Sequence, residues 1–77
     1  MFRICIAGNS GHAATVTRAL PRLPQVEIAG WCRAWDGEPM TEVLEDFVKL
    51  GLTPPEFPDW RAMLDEVKPD VLVVDGL

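Results

Sequence analysis

Small residues cluster directly after an apolar run, in the stretch GNSGHA. A turn without bulky side chains lets a ligand approach the backbone, and a helix start offers unpaired N–H groups with a partial positive charge. Such a turn is suited to binding a phosphate group. The dinucleotide fingerprint G-x-G-x-x-G/A uses this geometry, with Ser10 here at its second place. The predicted phosphate-binding turn comprises Gly8, Asn9, Ser10, Gly11, His12 and Ala13.

This turn also has a purely structural interpretation, because any tight connection from a strand to a helix favours glycine. Its position in a first β-α-β unit of about 30 residues favours phosphate binding. His12 is the one histidine of the sequence. It either polarises the ligand or is a partly exposed residue at a helix start.

The place about 20 positions beyond the fingerprint is normally held by an acid that binds the adenosine ribose. Here it holds Arg33. A guanidinium there either accommodates a 2′-phosphate, which favours NADP over NAD, or is a solvated surface group. We therefore expect NADP or NAD as cofactor, with NADP slightly preferred. Asp36 is an alternative partner of the ribose, although Asp before Gly is typical of a turn, and Trp35 is placed to stack on the base.

Apolar runs and stripes predict the elements that position these residues. The expected strands are Phe2–Ala7, Val26–Cys32 and Val71–Val74, with a very short edge strand near Phe57; the expected helices are residues 12–20, a segment with Pro39 in its first turn and Gly51 at its end, and a segment capped by Asp59. We expect Pro21 to end the first helix. The order β-α-β-α-(β)-α-β predicts an α/β fold, a parallel sheet with helices on both faces.

Composition argues against several function classes. The 77 residues suit one small domain, and a net charge of −5 weighs against binding nucleic acid. The longest strictly apolar run, VLVV, is far shorter than the roughly 20 residues that span a bilayer. We expect no membrane association and a cytoplasmic location. Cys5 and Cys32 have no metal-ligand partners at suitable spacing, so we expect buried thiols and no metal site.

The stretches FRICIAGNSGHA, VEIAGWCR and FPDWRAMLDEVKPDVLVV together resemble the N-terminal nucleotide-binding part of the glucose-fructose oxidoreductase and inositol dehydrogenase (Gfo/Idh/MocA) family. The resemblance covers essentially the whole chain, with Arg33 replacing the usual acid. It implies a partial Rossmann fold with strand order 3-2-1-4 that binds NAD or NADP at the turn of residues 8–13.

The same resemblance implies that residues 1–77 form the NAD(P)-binding domain of a longer, two-domain oxidoreductase. In such a protein a small-molecule substrate, a sugar, polyol or related CH–OH compound, binds the second domain and exchanges a hydride with the cofactor. The family's catalytic lysine lies in a Lys-Pro segment that these residues do not include. We therefore assign no catalytic residue within this chain.

An apolar last strand at an open sheet edge predicts that the chain is a fragment or pairs with a second copy along that edge. An alternative function from another class is a non-catalytic nucleotide- or CoA-binding module that uses the same turn. A Lys-Pro segment beyond Leu77 would favour the enzyme. KPDVLVVDGL also resembles the phosphoacceptor strand of receiver domains, but their first strand ends in paired acids and this one ends in AGNSG.

Overall fold

The computed structural model describes residues 1–9 and 18–74, which form a parallel sheet flanked by helices. Strand β1 lies between β2 and β3. This arrangement confirms the α/β class with a Rossmann-like sheet. The elements are β1 (Phe2–Ala7), a 3-10 turn (Leu20–Arg22), β2 (Val26–Cys32), α1 (Thr41–Leu50), α2 (Trp60–Val67) and β3 (Val71–Val74), and all three strands have the predicted bounds.

The edge strand that the sequence predicted near Phe57 is reduced to one residue. Glu56 forms a single parallel bridge with Trp31, whose N–H donates to the carbonyl of Pro55 at 3.1 Å. Pro55 and Pro58 have no N–H to extend a ladder. The strand order is therefore β2-β1-β3, with the bridge outside β2, rather than a full four-stranded 3-2-1-4 sheet.

The ends of the two helices follow local backbone chemistry. Helix α1 has Met40 as its N-cap, so Pro39 precedes the helix instead of lying in its first turn. The helix stops at Gly51, whose φ of 70° is left-handed and favours glycine. Asp59 caps α2 as predicted, because its carboxylate accepts the N–H of Ala62 at 2.8 Å.

The helix predicted over residues 12–20 lies mostly outside the described residues. At its end Arg18 and Ala19 are helical, and the 3-10 turn Leu20–Arg22 follows. The α-helical residues therefore end just before Pro21, as predicted, and Pro21 lies within the 3-10 turn. A proline fits there because the first positions of a helical turn need no donated N–H.

Each face of the sheet carries its own buried apolar cluster. The α1-face cluster contains Ile4, Ile6 and Ile28 together with Phe47 of α1. The α2-face cluster, on the opposite face, contains Cys5, Ala7, Cys32, Phe57, Met63 and Val67. Helices thus cover both faces, as predicted. Some apolar residues of the helices lie outside this core, since Val48 of α1 is 79% exposed and Trp60 of α2 is 47% exposed.

A bulge in β2 sets which side chains reach each face. Ile4 pairs with Ile28 but Cys5 pairs with Gly30, so Ala29 is the extra residue. The extra residue shifts the alternation of side chains, and Ile28 and Trp31 therefore belong to the same cluster.

Both cysteines are free and fully buried in the α2-face cluster. Burial raises the pKa of the Cys5 thiol and of the Cys32 thiol. Because the thiolate is the reactive form, we expect both to react with a disulfide reagent at pH 8 about 100-fold more slowly in the native chain than in 8 M urea. Glutathione in the same two buffers corrects for the effect of urea, and equal native and denatured rates would contradict this burial.

Candidate functional site

The carboxyl ends of the three strands lie side by side at one end of the sheet. Ala7 pairs with both Cys32 and Val74, so the three carboxyl ends are aligned. Gly8 follows β1 with φ of 104°, which favours glycine, and its N–H donates to the carbonyl of Cys32 at 3.0 Å. In open parallel sheets, ligands bind just beyond the carboxyl ends of the strands. Ser10, Gly11, His12 and Ala13 lie outside the described residues, so their part in phosphate binding stays a prediction.

Asn9 connects the glycine turn to α1. Its side-chain oxygen accepts the N–H of Val43 at 2.9 Å, and its amide nitrogen donates to the carboxylate of Glu42. Met40 provides no side-chain cap, so Asn9 satisfies a free N–H of the first turn of α1 from another loop. The hydrogen bond from Asn9 lowers the pKa of the Glu42 carboxyl. The Asn9 side chain, predicted to bind the cofactor, thus bonds within the chain.

Glu38 is a buried carboxylate that joins two loops at the carboxyl ends of the strands. One of its oxygens accepts the N–H of Asn9 at 3.1 Å and the other accepts the N–H of Ala34 at 2.7 Å. The residue is 5% exposed. It therefore ties the loop after β1 to the loop after β2. Sequence reasoning missed Glu38, because a glutamate in the segment DGEP resembles an exposed turn residue.

Arg33 directly follows β2 and is held on three sides. Its Nη1 lies 2.6 Å from a carboxylate oxygen of Glu56, and its Nε donates to the backbone carbonyl of Glu38 at 2.9 Å. The guanidinium also lies over the ring of Trp31, 5.5 Å from the centroid. The Arg33 side chain is 37% exposed, so it is a partly solvated group that is also ion-paired, and both interpretations of Arg33 stay predictions. Glu56, its partner, was not singled out in the sequence.

A cleft of about 500 Å³ opens between the loop after β2 and the segment that leads into α2. Trp35 and Trp60 line it and are 54% and 47% exposed. Asp36 also lines it, in the turn with Gly37, whose φ is 87°. We call this feature the tryptophan cleft, and its lining comprises Arg33, Ala34, Trp35, Asp36, Glu56, Phe57, Pro58, Asp59 and Trp60.

The described residues offer hydrogen-bonding groups and aromatic surface rather than a metal centre. Within residues 1–9 and 18–74, no group of three or more His, Cys, Asp or Glu side chains could hold a metal ion. No helix in that part of the chain has the length and apolar character needed to cross a membrane.

A solved structure from Thermotoga maritima, described as that of a "putative oxidoreductase", matches this fold with a TM-score of 0.90. The match covers 97% of this chain at 25% identity. The chain shares the fold of part of that protein. It spans 22% of the length of the Thermotoga chain. No protein-family model and no curated protein matches the sequence.

Proposed function

We propose that the chain is the dinucleotide-binding segment of an NAD(P)-dependent oxidoreductase of the Gfo/Idh/MocA type. The parent enzyme transfers a hydride between the cofactor and a sugar, polyol or related CH–OH substrate. The structural likeness to the Thermotoga protein supports an oxidoreductase fold. The sequence resemblance supports the substrate class and a second domain that supplies the catalytic groups.

The observation that carries this proposal is the position of Gly8 at the aligned carboxyl ends of the strands, where its N–H bonds to Cys32, the residue before Arg33 of the tryptophan cleft. The left-handed φ of Gly8 turns the chain sharply after β1. Glu38 already takes the N–H of Asn9, so phosphate binding rests on the N–H groups of Ser10 to Ala13. The cleft has a volume within the range of about 300 to 1,000 Å³ typical of small-molecule sites.

In this proposal each part of the site has a separate task. The glycine turn holds the pyrophosphate, the loop after β2 contacts the adenosine ribose, and Trp35 stacks on the base. The nicotinamide supplies the hydride chemistry, and the protein positions it. Asn9 and Glu38 link the loop after β1 to the loop after β2 and to α1 through hydrogen bonds within the chain, which supports a defined spacing between these segments.

Titration of the folded chain with NADH and NADPH, followed by calorimetry, tests the proposal. We expect at least one cofactor to bind with a stoichiometry of one and to be displaced by ADP-ribose. Trp35→Ala removes a stacking surface worth about 1 to 3 kcal/mol per base, so we expect about tenfold weaker binding. Because Trp35 is 54% exposed, this change leaves the core intact.

Val48→Ala is the matched control, since Val48 is exposed on α1 and does not line the tryptophan cleft. The Val48→Ala variant should bind the cofactor with the same affinity as the unchanged chain. Circular dichroism and cooperative thermal unfolding show that each variant is folded. If the folded chain binds neither cofactor nor ADP-ribose, the proposed function is wrong. If Trp35→Ala binds as tightly as Val48→Ala, the base does not lie in the cleft.

A further inference from the structure

Arg33 and Glu56 form an ion pair in the lining of the tryptophan cleft. Arg33 directly follows β2, at the position where an arginine accommodates the 2′-phosphate of NADP. Its Nη1 is already bound to Glu56 at 2.6 Å. We propose that Glu56 makes the site selective for NAD and against NADP, an inference that rests on the proposed function. This reverses the slight preference for NADP that Arg33 indicates in the sequence.

The first support is the set of three contacts that the guanidinium makes within the chain. The backbone carbonyl of Glu38 holds Nε, Glu56 holds Nη1, and the ring of Trp31 lies under the plane. Swinging Arg33 out toward a phosphate would break all three contacts. A phosphate that approached the bound guanidinium would instead meet the carboxylate of Glu56.

The second support is the sign of the charge that surrounds the cleft. Its lining contains one cationic side chain, Arg33, and three carboxylates, Asp36, Glu56 and Asp59. A phosphomonoester adds about −1.5 to −2 charges at pH 7. Like charges placed together at a binding interface are costly, whereas the hydroxyls of an unmodified ribose donate hydrogen bonds to carboxylates. The cleft thus suits the ribose of NAD better than that of NADP.

The third support is where Glu56 lies in the chain. Its segment forms the single bridge to Trp31, and the N–H of Phe57 donates to the carbonyl of Trp31 at 2.9 Å. These backbone bonds hold the backbone of Glu56 beside the end of β2, which Arg33 directly follows. A side-chain change at Glu56 would therefore remove the partner of the guanidinium without moving the backbone.

The test measures dissociation constants for NADH and NADPH in 0.1 M salt with four chains: unchanged, Glu56→Gln, Arg33→Ala and the double variant. We expect the unchanged chain to bind NADH about tenfold more tightly than NADPH. Glu56→Gln should tighten NADPH binding about tenfold and alter NADH binding by less than about threefold. Arg33→Ala alone should change NADPH binding little, but in the Glu56→Gln background it should abolish the gain.

Glu66→Gln removes the same charge from an exposed position of α2 that does not line the cleft, and so controls for net charge. The inference is overturned if the unchanged chain binds NADPH as tightly as NADH. It is also overturned if Glu56→Gln behaves like Glu66→Gln, or if it tightens both cofactors equally. If neither cofactor nor ADP-ribose binds the folded chain, the proposed function fails first and this inference fails with it.

Discussion

Replacing Glu38 by alanine is expected to lower the free energy of unfolding by about 3 kcal/mol, because two backbone N–H groups lose their acceptor. The N–H of Asn9 and the N–H of Ala34 both donate to this carboxylate. Each donor left without a partner costs about 1 to 3 kcal/mol, and a charged acceptor makes these bonds stronger than neutral ones. The free energy of unfolding of a domain is about 0.05 to 0.15 kcal/mol per residue, so this loss is a large share of the total for so short a chain.

An opposing effect sets the lower limit of this prediction. Burial of a carboxylate is itself costly, and alanine removes that cost together with the hydrogen bonds. Water also reaches Ala34, which is exposed, and partly compensates its N–H. The prediction holds because the lost carboxylate has a hydrogen bond on each oxygen and because the vacated volume leaves Asn9, half-buried, without an acceptor.

Urea unfolding at pH 7 measures the effect, and an unchanged m-value shows that the same surface is exposed. Glu38→Gln keeps the size of the side chain and one acceptor oxygen, so it should lose about half as much stability as the alanine variant. Glu45→Ala, at an exposed position of α1, should change stability by less than about 0.5 kcal/mol. An alanine variant at position 38 that matches Glu45→Ala would show that desolvation cancels the hydrogen bonds.

The regular elements follow from short-range patterns in the sequence. All three strands have their predicted bounds, because each apolar β-prone run ends abruptly at a glycine or a charged residue. The Asp59 cap was also predictable, since a side-chain oxygen at that place satisfies a free N–H of the helix. Where a prediction failed, as for Pro39, the error lay within two residues of a helix end.

The site was less predictable because its contacts join residues that are distant in the sequence. Asn9 meets α1 across 34 positions, and Arg33 meets Glu56 across 23. No local pattern marks Glu38 or Glu56 as partners of these groups, since the sequence does not distinguish a solvent-exposed glutamate from one that bridges two segments. The sequence placed Arg33 correctly after β2 but could not show the carboxylate that neutralises it.

The bulge in β2 illustrates the same limit inside the core. Strict alternation from Val26 would place Ile28 and Trp31 on opposite faces, yet both belong to the α1-face cluster. The inserted Ala29 causes the change. Gly30 beside it then faces the ring of Phe57, and a Cβ at this position would lie 2.7 Å from Cε2 of that ring. This contact gives the second large prediction.

Gly30→Ala is expected to lower the free energy of unfolding by about 2 kcal/mol, although alanine is intrinsically more favourable than glycine within a strand. Alanine in place of glycine within a strand gains roughly 0.5 to 1 kcal/mol, whereas overpacking a core costs about 1 to 3 kcal/mol. We expect overpacking to dominate because the ring is enclosed. Phe57 is buried, its N–H is bonded to the carbonyl of Trp31, and Pro58 restricts the backbone of Phe57 itself.

A double-variant cycle with Phe57→Leu separates the steric contact from any general intolerance of β2 to a side chain at this position. Because leucine lacks the ring, Gly30→Ala should cost at least about 1 kcal/mol less in that background. Gly51→Ala is the matched control: no atom lies within 4 Å of its Cβ, so only the φ of 70° opposes it. Equal cost of Gly30→Ala in both backgrounds would place the strain in the bulge backbone rather than at the ring.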